Sequence, residues 1–167
     1  APVNAKGLED TAFYRYNRLI SLNEVGGDPY QFGFTLSAFH GASLDRAKRW
    51  QHTLLTTSTH DSKRAEDVRL RINVLSELPA AWRLAVRRWS RINRSKKVRL
   101  EDGPAPSPND EYLLYQTLLG VWPIEPDGSA ARNATPEFVA RIQAYMAKAL
   151  KEAKLNTSWI QPNQLWD

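Results

Sequence analysis

With 167 residues, of which 42% are hydrophobic and 25% charged, the chain has enough apolar material for a folded domain with its own core. It contains no cysteine, which excludes disulfides and thiolate metal sites, and no apolar run near the roughly 20 residues of a membrane-spanning helix. Its net charge of +5 is compatible with anionic partners. We expect a cytoplasmic protein with no membrane partner and no cofactor.

The first part of the chain, residues 1–51, is predicted to be a helical segment. Residues 8–25 should form a helix because apolar and aromatic side chains recur at helical spacing, and Gly26-Gly27 should end it. Ser43 is expected to cap a short second helix. The chain starts with alanine rather than methionine, which indicates a piece of a longer polypeptide.

Residues 52–78 are predicted to hold a strand and the helix that follows it. The run from His52 to Thr57 is apolar and β-branched, which is typical of a strand, and 62–77 has helical periodicity. A single strand cannot satisfy its own backbone hydrogen bonds, so we expect pairing with strands outside this chain. Left unpaired, residues 52–57 could cause self-association.

The third part, residues 79–167, is predicted to be a C-terminal helical region. Helices are expected over about 79–94, 107–120 and 135–154, each with a proline at its start. Residues 95–107 are expected to form a surface loop. The predicted fold class is therefore mainly α, with one strand.

Eight basic residues and no acidic residue lie between Arg83 and Arg99. Such a block can bind phosphates, so a nucleic-acid-binding helical module is one alternative function. Aromatic residues do not alternate with the basic ones as a base-stacking platform requires, which favours a solvated helix face. No nucleic-acid partner is therefore expected.

The junction after the predicted strand carries the candidate chemistry. His60 and Asp61 follow it directly, and barrel enzymes place their catalytic residues at the C-terminal ends of strands. Asp61 could instead cap the helix that starts at Ser62. A His-Asp pair also occurs in metal-dependent phosphohydrolases, for which His40 and His52 could supply ligands, but here the pair follows a strand instead of lying within a helix.

Four long stretches of the sequence are specific enough to indicate a family. They are AKGLEDTAFYRY at 5–16, LNEVGGDP at 22–29, TSTHDSKRAEDVR at 57–69 and EYLLYQT at 111–117. Together they resemble the C-terminal part of the maltooligosyl trehalose synthases, which are members of the α-amylase superfamily. The resemblance covers nearly the whole chain.

The resemblance implies a (β/α)8 barrel with helical insertions, in which residues 52–57 would be the last barrel strand. The implied reaction is an intramolecular transglycosylation, by a glucosylmutase of the isomerase class. It converts the reducing-end α-1,4 linkage of a maltooligosaccharide into an α,α-1,1 linkage. By the match Asp61 would be the third catalytic carboxylate and His60 a sugar-hydroxyl ligand. The family's nucleophile and general acid have no counterpart here, so the chain alone is expected to be inactive.

Eight further residues are candidates for substrate binding. Lys63 and Arg64, if they lie near Asp61, would favour its charged form. The other six combine aromatic rings, which can stack on sugars, with charged groups that can hold hydroxyls; alternatively they form a helix start with exposed charge pairs. These six are Lys6, Glu9, Asp10, Tyr14, Arg15 and Tyr16. No metal site is expected.

Overall fold

The computed structural model describes residues 2–101 and 103–166, apart from the side chains of residues 2–6 and 8. The described chain is mainly helical, as the sequence predicts. None of its helices is long and apolar enough to cross a membrane. The helices are α1 (Pro2–Arg15), α2 (Leu36–Arg49), α3 (Glu66–Asn73), α4 (Pro79–Asn93), α5 (Pro108–Val121) and α6 (Pro136–Ala153), and the strands are β1 (Val98–Leu100) and β2 (Gly103–Ala105).

Helices α4, α5 and α6 confirm the predicted bounds to within one or two residues, because their start signals are local. Each has proline in its first turn. Ser107 caps α5 in a reciprocal arrangement with Asp110, and the Thr135 side chain accepts a hydrogen bond from the backbone N–H of Phe138 in α6.

The helix predicted over 8–25 was too long, since α1 ends at Arg15. The Asn23 side-chain amide donates to the backbone carbonyls of Phe13, at 2.9 Å, and Tyr16, at 2.8 Å. This amide takes up carbonyl groups that a continuing helix would have used, and the chain turns back through a short 3₁₀ segment at Ile20–Leu22.

Three other boundaries also differ from prediction. Helix α2 begins at Leu36 with Thr35 as its cap, not at Ser43. Helix α3 begins at Glu66, because residues 58–65 form a turn and a loop first. The predicted loop 95–107 contains the antiparallel hairpin of β1 and β2, in which Val98 pairs with Ala105.

The strand predicted over 52–57 is not formed in this chain. Among the described residues β1 pairs only with β2, so nothing offers the segment a backbone partner. Leu54 is 98% exposed and Leu55 70% exposed. Without partners the segment cannot satisfy strand hydrogen bonds within the chain, and it runs through solvent instead. Its place as the last strand of a barrel remains a prediction about a longer polypeptide.

Among the described residues, one buried cluster connects α1, α3, α4, α5 and α6, while α2 and the β1–β2 hairpin contribute no member to it. Leu19 and Ile20 reach it from the start of the 3₁₀ segment and Leu75 from the turn after α3; its members on the helices are Tyr14, Ile72, Trp82, Leu113, Tyr115, Ala149 and Ala153. Helices α3 and α5 approach so closely at Gly120 that a Cβ there would lie 2.8 Å from Val68 Cγ1. The division of the chain into the three parts 1–51, 52–78 and 79–167 remains a prediction.

The buried Gln116 side chain of α5 fixes the chain that follows α1. Its Oε1 accepts the backbone N–H of Ile20 at 2.9 Å, and its Nε2 donates to the carbonyl of Asn17 at 2.8 Å. Both ends of the amide are therefore satisfied inside the core. This anchoring gives residues 17–24 a defined position against which the loop before α3 can pack.

Candidate functional site

His60 and Asp61 lie on a tight turn in the loop of residues 58–65. The backbone N–H of Thr59 donates to Ser62 Oγ at 2.8 Å, and that of Ser62 to the Thr59 carbonyl at 3.1 Å. The His60 and Asp61 side chains are 92% and 73% exposed, with Nε2 of the first 3.5 Å from Oδ2 of the second. The turn presents both groups outward and leaves them accessible to a ligand.

Asp61 does not cap the following helix, so that alternative is wrong. The cap position of α3 is Ala65, four residues further on. The hydroxyl of Ser58 accepts the backbone N–H of Glu66 at 3.1 Å and satisfies one of the free donors at the helix start. The Asp61 carboxylate is thus not used by the helix and remains available for chemistry.

Lys63 and Arg64 connect the loop to the body of the fold. Lys63 Nζ lies 2.8 Å from Oδ1 of Asp10 in α1, and both side chains are largely buried. Arg64 donates to the carbonyl of Ile20 at 3.1 Å and to the hydroxyl of Tyr145 in α6 at 2.9 Å. Their structural partners are therefore α1, the 3₁₀ segment and α6, while their contact with a sugar remains a prediction.

The acidic candidates of α1 lie at the base of the same loop. Asp10 carries the ion pair with Lys63, and Glu9 Oε1 accepts the backbone N–H of Gly26 at 3.3 Å. Asp10 thus holds a side chain of the loop, and Glu9 holds the backbone at Gly26. The Lys6 side chain, also a candidate, lies outside the described residues.

The remaining three candidates, at the end of α1 and just after it, have their described contacts elsewhere in the fold. Tyr14 is in the core, where burial, with a contribution from the nearby Tyr145 phenol, raises the pKa of its own phenol to about 12. Arg15 Nε donates to the carbonyl of Ala153 at the end of α6, at 2.6 Å. The Tyr16 ring packs against Tyr30 at 5.1 Å between centroids. The structure therefore does not bring all six residues together as one surface.

Glu24 is the residue that the sequence interpretation missed. Its carboxylate accepts the backbone N–H groups of both Lys63, at 2.8 Å, and Arg64, at 3.2 Å. The available signal was its position in the 22–29 stretch, which supported the resemblance but received no role. Glu24 thus belongs to the candidate site through the backbone of the loop.

Both the sequence and the fold of this chain are similar to those of known proteins. A protein of Mycobacterium tuberculosis assigned as a maltooligosyl trehalose synthase is 41% identical over 165 residues, covering 99% of this chain and 20% of that protein. A crystal structure of a maltooligosyl trehalose synthase superposes with a TM-score of 0.82 at 40% identity, over 98% of this chain and 20% of the other. The chain matches one segment of the maltooligosyl trehalose synthases. The predicted resemblance is confirmed.

A second solved structure agrees with this match. The maltooligosyltrehalose synthase of Arthrobacter ramosus gives a TM-score of 0.76 at 39% identity, over 97% of this chain and 18% of that one. No protein-family model matches the chain. The chain spans about a fifth of the length of the curated maltooligosyl trehalose synthases that it matches.

The two alternative functions gain no support. Within residues 2–101 and 103–166, no group of three histidine or acidic side chains lies close enough to hold a metal ion, so His40 and His52 do not join the His60–Asp61 pair. The basic block lies on α4, on the turn after it and at Arg99 in β1. One of its members, Lys97, is used internally, because its Nζ lies 2.7 Å from Glu111 Oε2.

Proposed function

We propose that this chain is part of a maltooligosyl trehalose synthase and contributes one of its three catalytic carboxylates, Asp61. The reaction is the rearrangement of the reducing-end α-1,4 glucosyl linkage of a maltooligosaccharide into an α,α-1,1 linkage. The observation that carries the proposal is 41% identity over 99% of the chain to a protein assigned that activity.

The chemistry of glycosyl transfer explains why a third carboxylate is useful. Retaining glycosidases use a nucleophile and a general acid about 5–5.5 Å apart and pass through an oxocarbenium-like transition state. A further carboxylate near the sugar stabilises the positive charge as it develops. Transfer to another sugar rather than to water also requires a closed site that holds the acceptor in place.

The exposure of Asp61 supports its membership in a larger site. In this chain its side chain is 73% exposed, whereas a catalytic carboxylate works in a cleft from which water is excluded. The missing walls of that cleft are proposed to come from the remainder of a longer polypeptide, together with the nucleophile, the general acid and the strands that pair with residues 52–57. The chain alone is proposed to be inactive.

The test is an assay on maltopentaose with the full-length polypeptide and with this chain alone. We expect the full-length polypeptide to convert reducing ends into non-reducing trehalosyl ends, seen as loss of reducing sugar and as a new anomeric signal by NMR. We expect no turnover by the chain alone. Release of glucose without trehalosyl ends, or full turnover by these 167 residues, would contradict the proposal.

Self-association through residues 52–57 is a second part of the proposal, and it concerns the isolated chain. The segment pairs with no strand among the described residues and exposes two leucines, which is the arrangement that recruits a second strand. We expect a concentration-dependent dimer by sedimentation equilibrium, and Leu54→Lys should weaken it at least tenfold. Leu84→Lys, at an exposed leucine of α4, is the matched control; equal weakening by both variants would rule out the segment.

A further inference from the structure

The Glu24 side chain joins three parts of the fold around the His60–Asp61 turn. Its Oε1 accepts the N–H of Lys63 at 2.8 Å and the N–H of its neighbour Val25 at 2.9 Å. Its Oε2 accepts the N–H of Arg64 at 3.2 Å and lies 3.7 Å from Nη1 of Arg69 in α3. The side chain is only 16% exposed, so these contacts are poorly screened by solvent.

Arg69 extends the same network to the other side of the turn. While one of its terminal nitrogens faces Glu24, the other donates to the backbone carbonyl of Thr57. Thr57 and Lys63 flank the five residues 58–62, which carry His60 and Asp61. One carboxylate and one guanidinium therefore hold both ends of the turn.

Glu24 can act as an anchor because its own backbone is held in place. Asn23 is buried, with its side-chain amide bonded to two carbonyls at the end of α1. At Gly27 a Cβ would lie 2.9 Å from the Glu24 carbonyl oxygen, so the chain can turn this tightly only with glycine there. Gly26 adopts a φ of +74°, which also favours glycine.

We propose that Glu24 is a positioning residue of the transglycosylation: with Arg69 it fixes the turn that holds Asp61 against the reacting sugar. This inference rests on the proposed function. A catalytic group displaced by about 1 Å can cost of order 10²-fold in rate, even when the change lies away from the chemistry. Glu24 does not itself touch the substrate; it acts through the backbone of Lys63 and Arg64.

The charge of Glu24 is essential to this role. A carboxylate can accept hydrogen bonds with both oxygens, as the two successive N–H groups of Lys63 and Arg64 require. Glutamine has nearly the same shape, but its amide nitrogen cannot accept a hydrogen bond and carries no charge for Arg69. Glu24→Gln should therefore loosen the loop without opening a cavity.

The test measures steady-state kinetics of the full-length polypeptide on maltopentaose. We expect Glu24→Gln to lower kcat by 10- to 100-fold while KM changes by less than about threefold, because the substrate still binds but Asp61 is misplaced. The share of glucosyl units transferred to water should also rise. Asp28→Asn is the matched control: its carboxylate accepts the backbone N–H of the neighbouring Tyr30, and kcat should stay within twofold of wild type.

Two further variants separate positioning from general stability. Arg69→Lys keeps the positive charge but cannot serve Glu24 and the Thr57 carbonyl together, so a similar loss of kcat is expected. The double variant Glu24→Gln/Asp61→Asn should be no slower than Asp61→Asn alone, because the positioning of Asp61 no longer matters. Wild-type kcat in both single variants, or additive losses in the double variant, overturns the inference. Failure of the wild-type polypeptide to form trehalosyl ends is a different result, which overturns the proposed function itself.

Discussion

Replacement of Asp61 by asparagine in the full-length polypeptide is expected to lower kcat for trehalosyl-end formation by about 10²- to 10³-fold, the usual cost of removing one preorganised group that stabilises transition-state charge. Asparagine keeps the size of the side chain and removes its negative charge. Folding should be unaffected, because Asp61 is exposed and does not cap α3. The measurement is the initial rate of reducing-end loss on maltopentaose, with circular dichroism as the check on folding.

The matched control for this variant is Asp127→Asn. Asp127 is also an exposed loop carboxylate, and its Oδ1 accepts the backbone N–H of Ser129 at 2.9 Å, far along the chain from the His60–Asp61 turn. Wild-type rates are expected for this control. Near wild-type activity of Asp61→Asn would remove Asp61 from the catalytic residues, even if the full-length polypeptide were an active synthase.

The parts of the fold that could be predicted are those fixed by neighbouring residues. The starts of α5 and α6 follow from Ser107 and Thr135, each directly before a proline, and these signals act within one helical turn. The end of α1 could not be predicted this way. The apolar residues Leu19 and Ile20 continue the helical spacing of α1, but they reach the core from a chain that has already turned, because the Asn23 side chain takes the carbonyls at the end of that helix.

The same distinction between local and long-range interactions applies to the candidate site. The His60–Asp61 turn could be located from the sequence because the pair directly follows an apolar run and precedes a charged segment. The positions of Lys63 and Arg64 could not, since their partners include Asp10, 53 residues earlier in the chain, and Tyr145, 81 residues later. Such pairings depend on how helices pack, which no local pattern records.

The basic block illustrates how tertiary packing changes the meaning of a sequence pattern. In the sequence, the stretch from Arg83 to Arg99 contains basic residues and no acidic residue, which by itself predicts a continuous positive surface. In the fold, Lys97 turns inward to Glu111 of α5, and these two side chains are 14% and 7% exposed. Ser90 and Tyr115 complete the environment of that carboxylate by donating to it at 2.9 and 2.7 Å. Part of the block is therefore structural.

Replacement of Glu111 by glutamine is consequently expected to lower the free energy of unfolding by about 3 kcal/mol at pH 7, because it leaves the charge of Lys97 buried and unpaired. Burial alone would raise the pKa of Glu111, but hydrogen bonds from Lys97, Tyr115 and Ser90 lower it below the usual 4.5. A carboxyl with a lowered pKa stabilises the fold above its unfolded pKa and loses that contribution as the pH falls through its folded pKa. The difference between wild type and variant should therefore be largest at neutral pH and shrink below about pH 4.5.

Urea unfolding of the chain at pH 7 and at pH 3.5 measures both parts of this expectation. Glu137→Gln is the matched control, since Glu137 lies fully exposed in the first turn of α6 and only a small effect is expected. The double variant Glu111→Gln/Lys97→Met removes both charges and should recover part of the lost stability, because the main cost is an unpaired buried charge rather than a missing attraction. A double variant less stable than Glu111→Gln alone would instead show that Lys97 stabilises the hairpin side of the fold without its partner.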